Sequence, residues 1–342
     1  MTRYDVLVVG GGAAGLSAAL SLGRARRRVL VVDGGQPRNA PAAGVHNFLT
    51  RDGTPPDELL AAGRAEVRGY GGEIVDGTVA SIAHGFTATL DDGSTVGARA
   101  VIVTSGLVDE LPAIDGVRER WGRDVLHCPY CHGHEVADRA LGVLATGPTA
   151  VHQALLVRQW SSDLTLFLDD VAEPTDDEWE RLAARGIGVV TGKVARLVVE
   201  DDRLTGVQLA DGTVVAREAL FLATYMRARS DLLTALGVET ADIEFGGAPI
   251  ATHVVVDPAG RTSVPGVWAA GNVAEPMAQV VTAAAAGAWV GAQVNAQLVT
   301  EDTDRALRER EAAALERRVS EIVLGDRRHG LSLTPRSSSS TT

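Results

Sequence analysis

The chain has 342 residues, of which 45% are hydrophobic and 22% charged, so it is long enough for two domains with substantial cores. Its net charge of −12 argues against nucleic acid or an anionic membrane surface as a partner. The amino terminus enters an apolar segment without a basic region or a cleavage site, and no apolar stretch has the length of a membrane span. These features predict a cytoplasmic protein.

The first predicted unit alternates strand, turn, helix and strand. Hydrophobic spacing predicts a strand at 5–9, a helix at 16–24, a strand at 29–32, a helix at 56–70 and a small antiparallel sheet at 74–90 and 95–103.

Three glycines form the first turn. Gly10, Gly12 and Gly15 have the G-x-G-x-x-G spacing between a strand and a helix, and Asp33 ends the next strand. In this context Gly10 permits a tight turn, Gly12 lets a pyrophosphate approach the backbone, and Gly15 lets the helix pack on the strand. The helix N-terminus favours phosphate and Asp33 can bind a ribose hydroxyl, which predicts a dinucleotide site.

The segment at 127–135, HCPYCHGHE, contains both cysteines of the chain. Cys128 and Cys131 have the C-x-x-C spacing that can close into a disulfide and reopen. Nearby imidazoles such as His127 and His132 can lower a thiol pKa and move its proton. The cluster therefore predicts thiol–disulfide chemistry.

Other interpretations of this cluster are weaker. The string CPYCH matches c-type haem attachment, which needs export, and a zinc site would need ligands that stand nowhere else in the sequence. A purely structural disulfide is disfavoured in a cytosolic setting. No metal site is predicted. The remaining histidines are expected to have no local partners: His46, His84, His152, His253 and His329.

The second half of the chain begins with another βαβ-like unit. Its predicted elements are a strand at 141–145, a helix at 150–160, a strand at 164–168 and short strands at 187–190, 194–199, 207–209 and 214–215. A third segment starts near Gly246 and contains TSVPGVWAAGNV at 262–273, an Ala-rich helix at 280–294 and a charged helix at 301–323. A disordered tail is predicted at 326–342.

Together with VIVTSG at 101–106 and Trp121-Gly122-Arg123 before the C-x-x-C, these motifs resemble the low-molecular-weight thioredoxin reductases over most of residues 3–300. The resemblance implies an α/β fold with two Rossmann-like, three-layer ββα domains. The FAD-binding domain would be discontinuous, at 1–114 and 247–325, and the inserted NAD(P)-binding-like domain at 115–246 would carry the C-x-x-C. It also implies a homodimer.

The resemblance assigns roles to single residues. Cys131 would face the flavin, Cys128 would exchange with substrate, and His132 would replace the usual Asp as the base, with His127 as the runner-up. The residues that the family pattern places at FAD are Gly10, Gly12, Ala13, Ala14, Gly15, Asp33, Gly34, Arg38, Asn47, Gly106, Gly271, Asn272, Gln279 and Val280. Asn272 stands where the family has Asp, so it offers an amide instead of a charge.

The second nucleotide site departs from the family. Its turn reads Ala145-Thr146-Gly147-Pro148-Thr149-Ala150, in which the first glycine is lost and Pro148 removes an N–H donor. The next strand ends at Asp169 and Asp170, which repel a 2′-phosphate, although Asp169 could suit the 2′-hydroxyl of NADH. FLATYM at 221–226 replaces a third, Gly-rich element. NAD(P)H use is therefore doubtful, with a drifted NADH site as the alternative.

The loop HNFLTRDG at 46–53 and the C-x-x-C-H centre resemble a subgroup that includes oxidases closing disulfides in gliotoxin, holomycin and romidepsin. The resemblance implies an FAD-dependent dithiol oxidase that converts a small-molecule dithiol to its disulfide and gives H₂O₂ from O₂. Two alternatives stay open: an NAD(P)H-dependent disulfide reductase acting on a thioredoxin-like protein, and a flavin-binding sensor without turnover.

Overall fold

The computed structural model describes residues 3–171 and 173–329 of the chain. Up to residue 114 the elements are β1 (Val6–Val9), α1 (Ala13–Arg24), β2 (Val29–Asp33), α2 (Pro56–Gly69), β3 (Glu73–Asp76), β4 (Val79–Ala83), β5 (Thr87–Leu90), β6 (Thr95–Gly97), β7 (Ala100–Val103) and β8 (Leu107–Glu110).

The elements of the middle segment are α3 (Val117–Arg120), β9 (Val125–Leu126), α4 (Pro129–His132), a 3₁₀ turn (His134–Val136), β10 (Leu141–Leu144), α5 (Ala150–Val157), β11 (Leu164–Phe167), α6 (Asp176–Ala184), β12 (Gly188–Val190), β13 (Val194–Glu200), β14 (Arg203–Leu209), β15 (Val214–Ala216), β16 (Ala219–Leu222), β17 (Tyr225–Ala228), α7 (Asp231–Thr234) and β18 (Thr240–Phe245). The last segment contains β19 (Ala248–Val254), β20 (Val267–Ala269), a 3₁₀ turn (Gly271–Val273) and α8 (Val280–His329).

The first parallel sheet has the strand order β20-β7-β1-β2-β3. Val6 of β1 lies opposite Val29 of β2 on one side and Ala100 of β7 on the other. Every residue of β1, β7 and β20 is buried, as expected for parallel strands covered on both faces. Strand β20 comes from residues after 247, so distant parts of the chain build one sheet; the predicted domain boundaries stay a prediction.

The second parallel sheet has the order β12-β11-β10-β16-β9. Leu141 of β10 pairs with Leu164 of β11 and with Ala219 of β16. Its core includes the fully buried Phe167 and Phe221. Two such sheets confirm the predicted α/β fold class with two Rossmann-like units.

One mixed sheet and two antiparallel sheets of the described residues complete the fold. One has the order β18-β19-β17-β8 and another the order β13-β14-β15. In the first of these, Tyr225 of β17 pairs with Glu110 of β8, which brings the two ends of the middle segment side by side. None of β8, β16, β17, β18 and β19 was predicted.

Two predictions about elements are wrong. The antiparallel sheet at 74–103 contains only β4, β5 and β6, whereas β3 and β7 join the first parallel sheet. The physical reason is burial: all four residues of β7 are covered, and alternation cannot identify a strand covered on both faces. The helices predicted at 280–294 and 301–323 are one helix, α8, because no glycine or proline lies between them.

The contacts divide the chain into two compact units, Met1–Gln293 and Val294–Thr342. Within the described residues the second unit is the carboxyl-terminal part of α8. Most of the predicted tail at 326–342 lies outside the described residues, and its first four residues continue α8. No helix in the described ranges is both long and apolar enough to cross a bilayer.

Candidate active site

One cavity of about 1020 Å³ joins the carboxyl ends of the first parallel sheet to the cysteine pair. This edge is where open parallel sheets bind ligands. The predicted site residues that line the cavity are Gly10, Gly12, Ala13, Ala14, Asp33, Gly34, Arg38, Gly106, His127, Cys128, Cys131, His132, Gly271, Asn272, Gln279 and Val280. The two other predicted residues, Gly15 and Asn47, have packing roles described below.

The turn between β1 and α1 is shaped to receive a phosphate. Gly10 has φ +104°, and a Cβ on it would lie 2.5 Å from the Thr104 carbonyl oxygen. A Cβ on Gly15 would lie 1.9 Å from the Gly10 oxygen, so Gly15 closes the turn onto the helix. A Cβ on Gly12 would meet no protein atom within 4 Å, which leaves open space at the start of α1. The turn therefore fits the pyrophosphate of FAD.

Asp33 is held in place by neighbours that the sequence did not reveal. Its Oδ1 accepts a 3.0 Å hydrogen bond from the Gly11 N–H, and its Oδ2 pairs with Arg64. A Cβ on Gly11 would lie 2.6 Å from the Asp33 carboxyl group, so a glycine is required there. Gly11, the middle glycine of the run at 10–12, was the sequence signal that could have indicated this contact.

Asn272 has a structural reason to be an amide. Its Nδ2 donates to the carbonyl oxygens of Glu275 (3.2 Å), Pro276 (3.1 Å) and Ala278 (2.9 Å). A carboxylate at this position would only accept hydrogen bonds and would face three carbonyl oxygens. Asn272 therefore shapes the turn that precedes α8, and its Oδ1 stays available for a ligand hydroxyl.

A buried ion pair lies beside the cavity. Arg38 donates to Asp109 through Nε and Nη2, at 2.7 Å each, and Thr224 donates to the same carboxylate at 2.6 Å. Burial by itself would raise the pKa of Asp109, but the hydrogen bonds and charge of Arg38, helped by Thr224, hold it below its ordinary value. The sequence predicted Arg38 but neither partner.

Cys128 and Cys131 form a disulfide across α4, with their Cα atoms 5.2 Å apart. Both cysteines line the same cavity as the glycine turn, so the disulfide is open to the predicted flavin groove. The Asn47 side chain donates to the Tyr130 carbonyl at 2.7 Å, and the Tyr130 ring packs edge-on to Trp160 at 5.8 Å. These contacts hold the loop at 46–53 and α4 together around the disulfide.

The two candidate bases are both uncharged near neutral pH. Burial, followed by the charge of Arg38, lowers the pKa of His127 to about 4. Burial also lowers the pKa of His132; Glu135 opposes this shift and His46 adds to it. A neutral imidazole can accept a thiol proton, and the less strongly shifted His132 is the better suited of the two.

His46 was expected to have no local partner, and this expectation is wrong. Its Nε2 lies 3.4 Å from Oε1 of Glu135, and its Nδ1 lies 3.5 Å from Oδ1 of Asp52. The expectation fails at Asp52, which is only six residues away in the same loop, and the fold adds Glu135 from 89 positions away. Among the described residues, no group of three or more His, Cys, Asp or Glu side chains could hold a metal ion.

At the second nucleotide site, the two carboxylates that follow β11 are engaged within the protein. The N–H of Val194 donates to Asp169 at 2.8 Å, and Asp170 pairs with Lys193 at 2.7 Å. Asp169, whose carboxylate could suit the ribose of NADH, therefore caps β13. The ring of Phe245, at the end of β18, packs 6.2 Å from His152 of α5, beside the turn.

Comparison of the sequence with known proteins matches the chain to one family and to relatives with the same kind of name. The sequence pattern of the pyridine nucleotide-disulphide oxidoreductase family matches residues 4–287. Thioredoxin reductase sirT of Leptosphaeria maculans is 33% identical, with 87% of this chain and 95% of that protein covered. Thioredoxin reductase tcpT of Claviceps purpurea is 30% identical over the same shares, 87% and 95%.

Solved structures agree with the sequence matches. A crystal structure of HlmI has a TM-score of 0.86 and 50% sequence identity, covering 92% of this chain and 99% of that one. An oxidoreductase from Agrobacterium tumefaciens has a TM-score of 0.82 and 37% identity, covering 87% of this chain and 99% of that one.

Proposed function

Because the chain belongs to the pyridine nucleotide-disulphide oxidoreductase family, we propose that this oxidoreductase is an FAD-dependent dithiol oxidase that uses O₂. The substrate would be a small-molecule dithiol, such as a natural-product precursor, which leaves as its disulfide. One observation carries the proposal: the Cys128–Cys131 disulfide shares a cavity with the flavin groove, while Asp169, which follows β11 in the second nucleotide site, caps a strand.

The sulfur chemistry follows from the disulfide and its neighbouring base. A substrate thiolate attacks Sγ of Cys128, the bond between the two cysteines breaks, and Cys131 leaves as a thiolate. His132 takes the proton of the second substrate thiol, which then attacks the substrate sulfur of the mixed disulfide and expels Cys128 as a thiolate. The substrate has lost two electrons and two protons, and the enzyme pair holds the electrons.

A bound FAD would supply the two-electron chemistry that links the thiol pair to O₂, so that dithiol and O₂ become disulfide and H₂O₂. The turn at Gly10–Gly15, Asp33 and Asn272 would hold the cofactor in the groove. Arg38 and Asp109 support the same wall through their buried ion pair.

The proposal is tested by following O₂ uptake and H₂O₂ formation with dithiothreitol as the substrate. We expect one H₂O₂ per dithiol oxidised. A dithiol that is not oxidised in air would contradict the proposal.

The second candidate, an NAD(P)H-dependent disulfide reductase, is favoured by the names of the relatives sirT and tcpT. Mixing the protein with NADH or NADPH without oxygen distinguishes the reductase from the oxidase. Rapid bleaching of the flavin supports the reductase, and an unchanged flavin spectrum supports the oxidase. A homodimer and a cytoplasmic location are part of the proposal, and gel filtration tests the first.

A further inference from the structure

A second cavity lies next to the disulfide cavity. It has a volume of about 390 Å³, and its lining includes His46, Glu135 and Arg123. Among the described residues, His132 is the titratable side chain that lines both cavities. The imidazole therefore stands between the disulfide and the second cavity.

The charged groups around His132 lead outward. Glu135 follows His132 by three residues and interacts with it electrostatically. Glu135 lies 3.4 Å from His46, which lies 3.5 Å from Asp52. The side chain of Glu135 is 41% exposed, that of His46 21% and that of Asp52 69%, so the cluster connects the half-buried His132 to solvent at Glu135 and at Asp52.

Such a route would serve dithiol oxidation. Each turnover removes two protons from the substrate thiols and two protons are taken up again in H₂O₂, but His132 can hold only one at a time and must pass the first on before it accepts the second. With cofactor and substrate in the disulfide cavity, the second cavity is the other side from which His132 can lose its proton. Distances of 3.4 to 3.5 Å are slightly longer than a good hydrogen bond, and catalytic contacts of this kind often shorten when substrate binds.

We propose that Glu135 and His46 relay protons between His132 and solvent through the second cavity. This inference rests on the proposed function. The cysteine pair lines the disulfide cavity together with His132, and Glu135, His46 and Arg123 line the second cavity with it. Arg123 is engaged with Asp202 and takes no part in the relay.

The test uses the FAD-loaded protein and the variants Glu135→Gln and His46→Gln, with His84→Gln as the matched control because His84 is exposed on the turn between β4 and β5. Dithiothreitol is mixed without oxygen at low buffer concentration over a range of pH. Flavin reduction is followed by absorbance, and newly formed enzyme thiols are trapped with iodoacetamide and counted by mass. Added imidazole then serves as an external proton carrier.

We expect both relay variants to slow thiol formation and flavin reduction about tenfold or more, a modest share of what general acid–base groups contribute. The dithiothreitol concentration at half-maximal rate should not change, and imidazole should restore the rate. His84→Gln should match the wild type, with or without imidazole.

Two outcomes overturn the relay while leaving the oxidase proposal intact. One is a wild-type rate and pH profile in both variants. The other is a slow rate that imidazole does not restore, because this indicates that His46 and Glu135 only hold the loop against α4. If the wild-type protein does not oxidise dithiothreitol at all, the proposed function fails and the relay fails with it.

Discussion

At the scale of single residues, the cysteine pair combines two thiols in different positions. Cys128 precedes α4 as its capping residue, whereas Cys131 lies inside the helix and donates its N–H to the Cys128 carbonyl at 3.1 Å. The proposed order of reaction gives the two thiols different roles. Replacing them one at a time therefore distinguishes them.

We expect Cys131→Ser to stop turnover, with a fall of at least about 1000-fold, because Cys128 then has no partner with which to form the disulfide that the substrate thiolate attacks. Its free Cys128 thiolate should attack the symmetric disulfide of a monothiol substrate analogue, keep one half as a mixed disulfide and release the other half as a thiolate. Intact-protein mass spectrometry after rapid quenching should then show the added mass of one half. Cys128→Ser is the matched control, since it should be equally inactive but bind much less of the analogue. Equal labelling of both variants would contradict the assigned order.

At the scale of elements, the turn from β1 into α1 contains glycines that are needed for two different reasons. Gly15 is required by packing within the protein, since its Cβ would overlap the Gly10 carbonyl. Gly12 is not, because the space beside it is free of protein atoms. The same motif therefore serves folding at one position, and we propose that it serves ligand binding at the other.

This difference predicts opposite effects for two alanine substitutions. Gly15→Ala should lower the free energy of unfolding by about 3 kcal/mol through overpacking. Gly12→Ala should change it by less than about 1 kcal/mol, yet weaken FAD binding about tenfold or more, equivalent to about 1.4 kcal/mol. Urea unfolding of the flavin-free protein and flavin fluorescence titration measure the two quantities. Loss of stability in Gly12→Ala comparable to that in Gly15→Ala would show that the turn is packed differently.

At the scale of the whole molecule, the Asp109 carboxylate joins parts of the chain that are far apart in sequence. Arg38 is 71 residues before it and Thr224 is 115 residues after it. Arg38 also donates to the Pro276 carbonyl, so the pair contacts the turn before α8. The carboxylate thus couples the cavity wall to the segment that carries the disulfide.

Asp109→Asn should lower the free energy of unfolding at pH 7 by about 3 kcal/mol, because Arg38 then loses its charged partner in a largely buried place. The pKa of Asp109 is lowered in the folded state, so its contribution is present above the unfolded value near 4 and is lost as the pH falls through the folded value. The difference between variant and wild type should therefore shrink below about pH 4. Urea unfolding over a range of pH tests this, with the exposed Asp115→Asn as control. The prediction would be refuted if the free energy of unfolding of the variant fell with decreasing pH as steeply as that of the wild type.

The fold class could be read from the sequence because its signals are local. The glycine turn followed by Asp33, the apolar strands and the repeated βαβ pattern each lie within about 30 residues. The strands β8, β16 and β17 escaped prediction because their pairing partners are distant, whereas β18 and β19 form a local hairpin in which β18 is largely exposed and has no buried face to detect. Sheet membership failed for β7 in the same way, since burial on both faces leaves no alternation to detect.

In the candidate site, too, some features were predicted from neighbouring residues and others depend on contacts that the sequence did not reveal. The C-x-x-C pair and the histidine beside it were evident from neighbouring residues, and the structure adds that both cysteines open into the predicted flavin groove. The partners of Arg38, the three carbonyl acceptors of Asn272 and the contact of His46 with Glu135 were not evident. Side chains such as these meet through backbone geometry and long-range packing, and a sequence does not record distances between residues far apart along the chain.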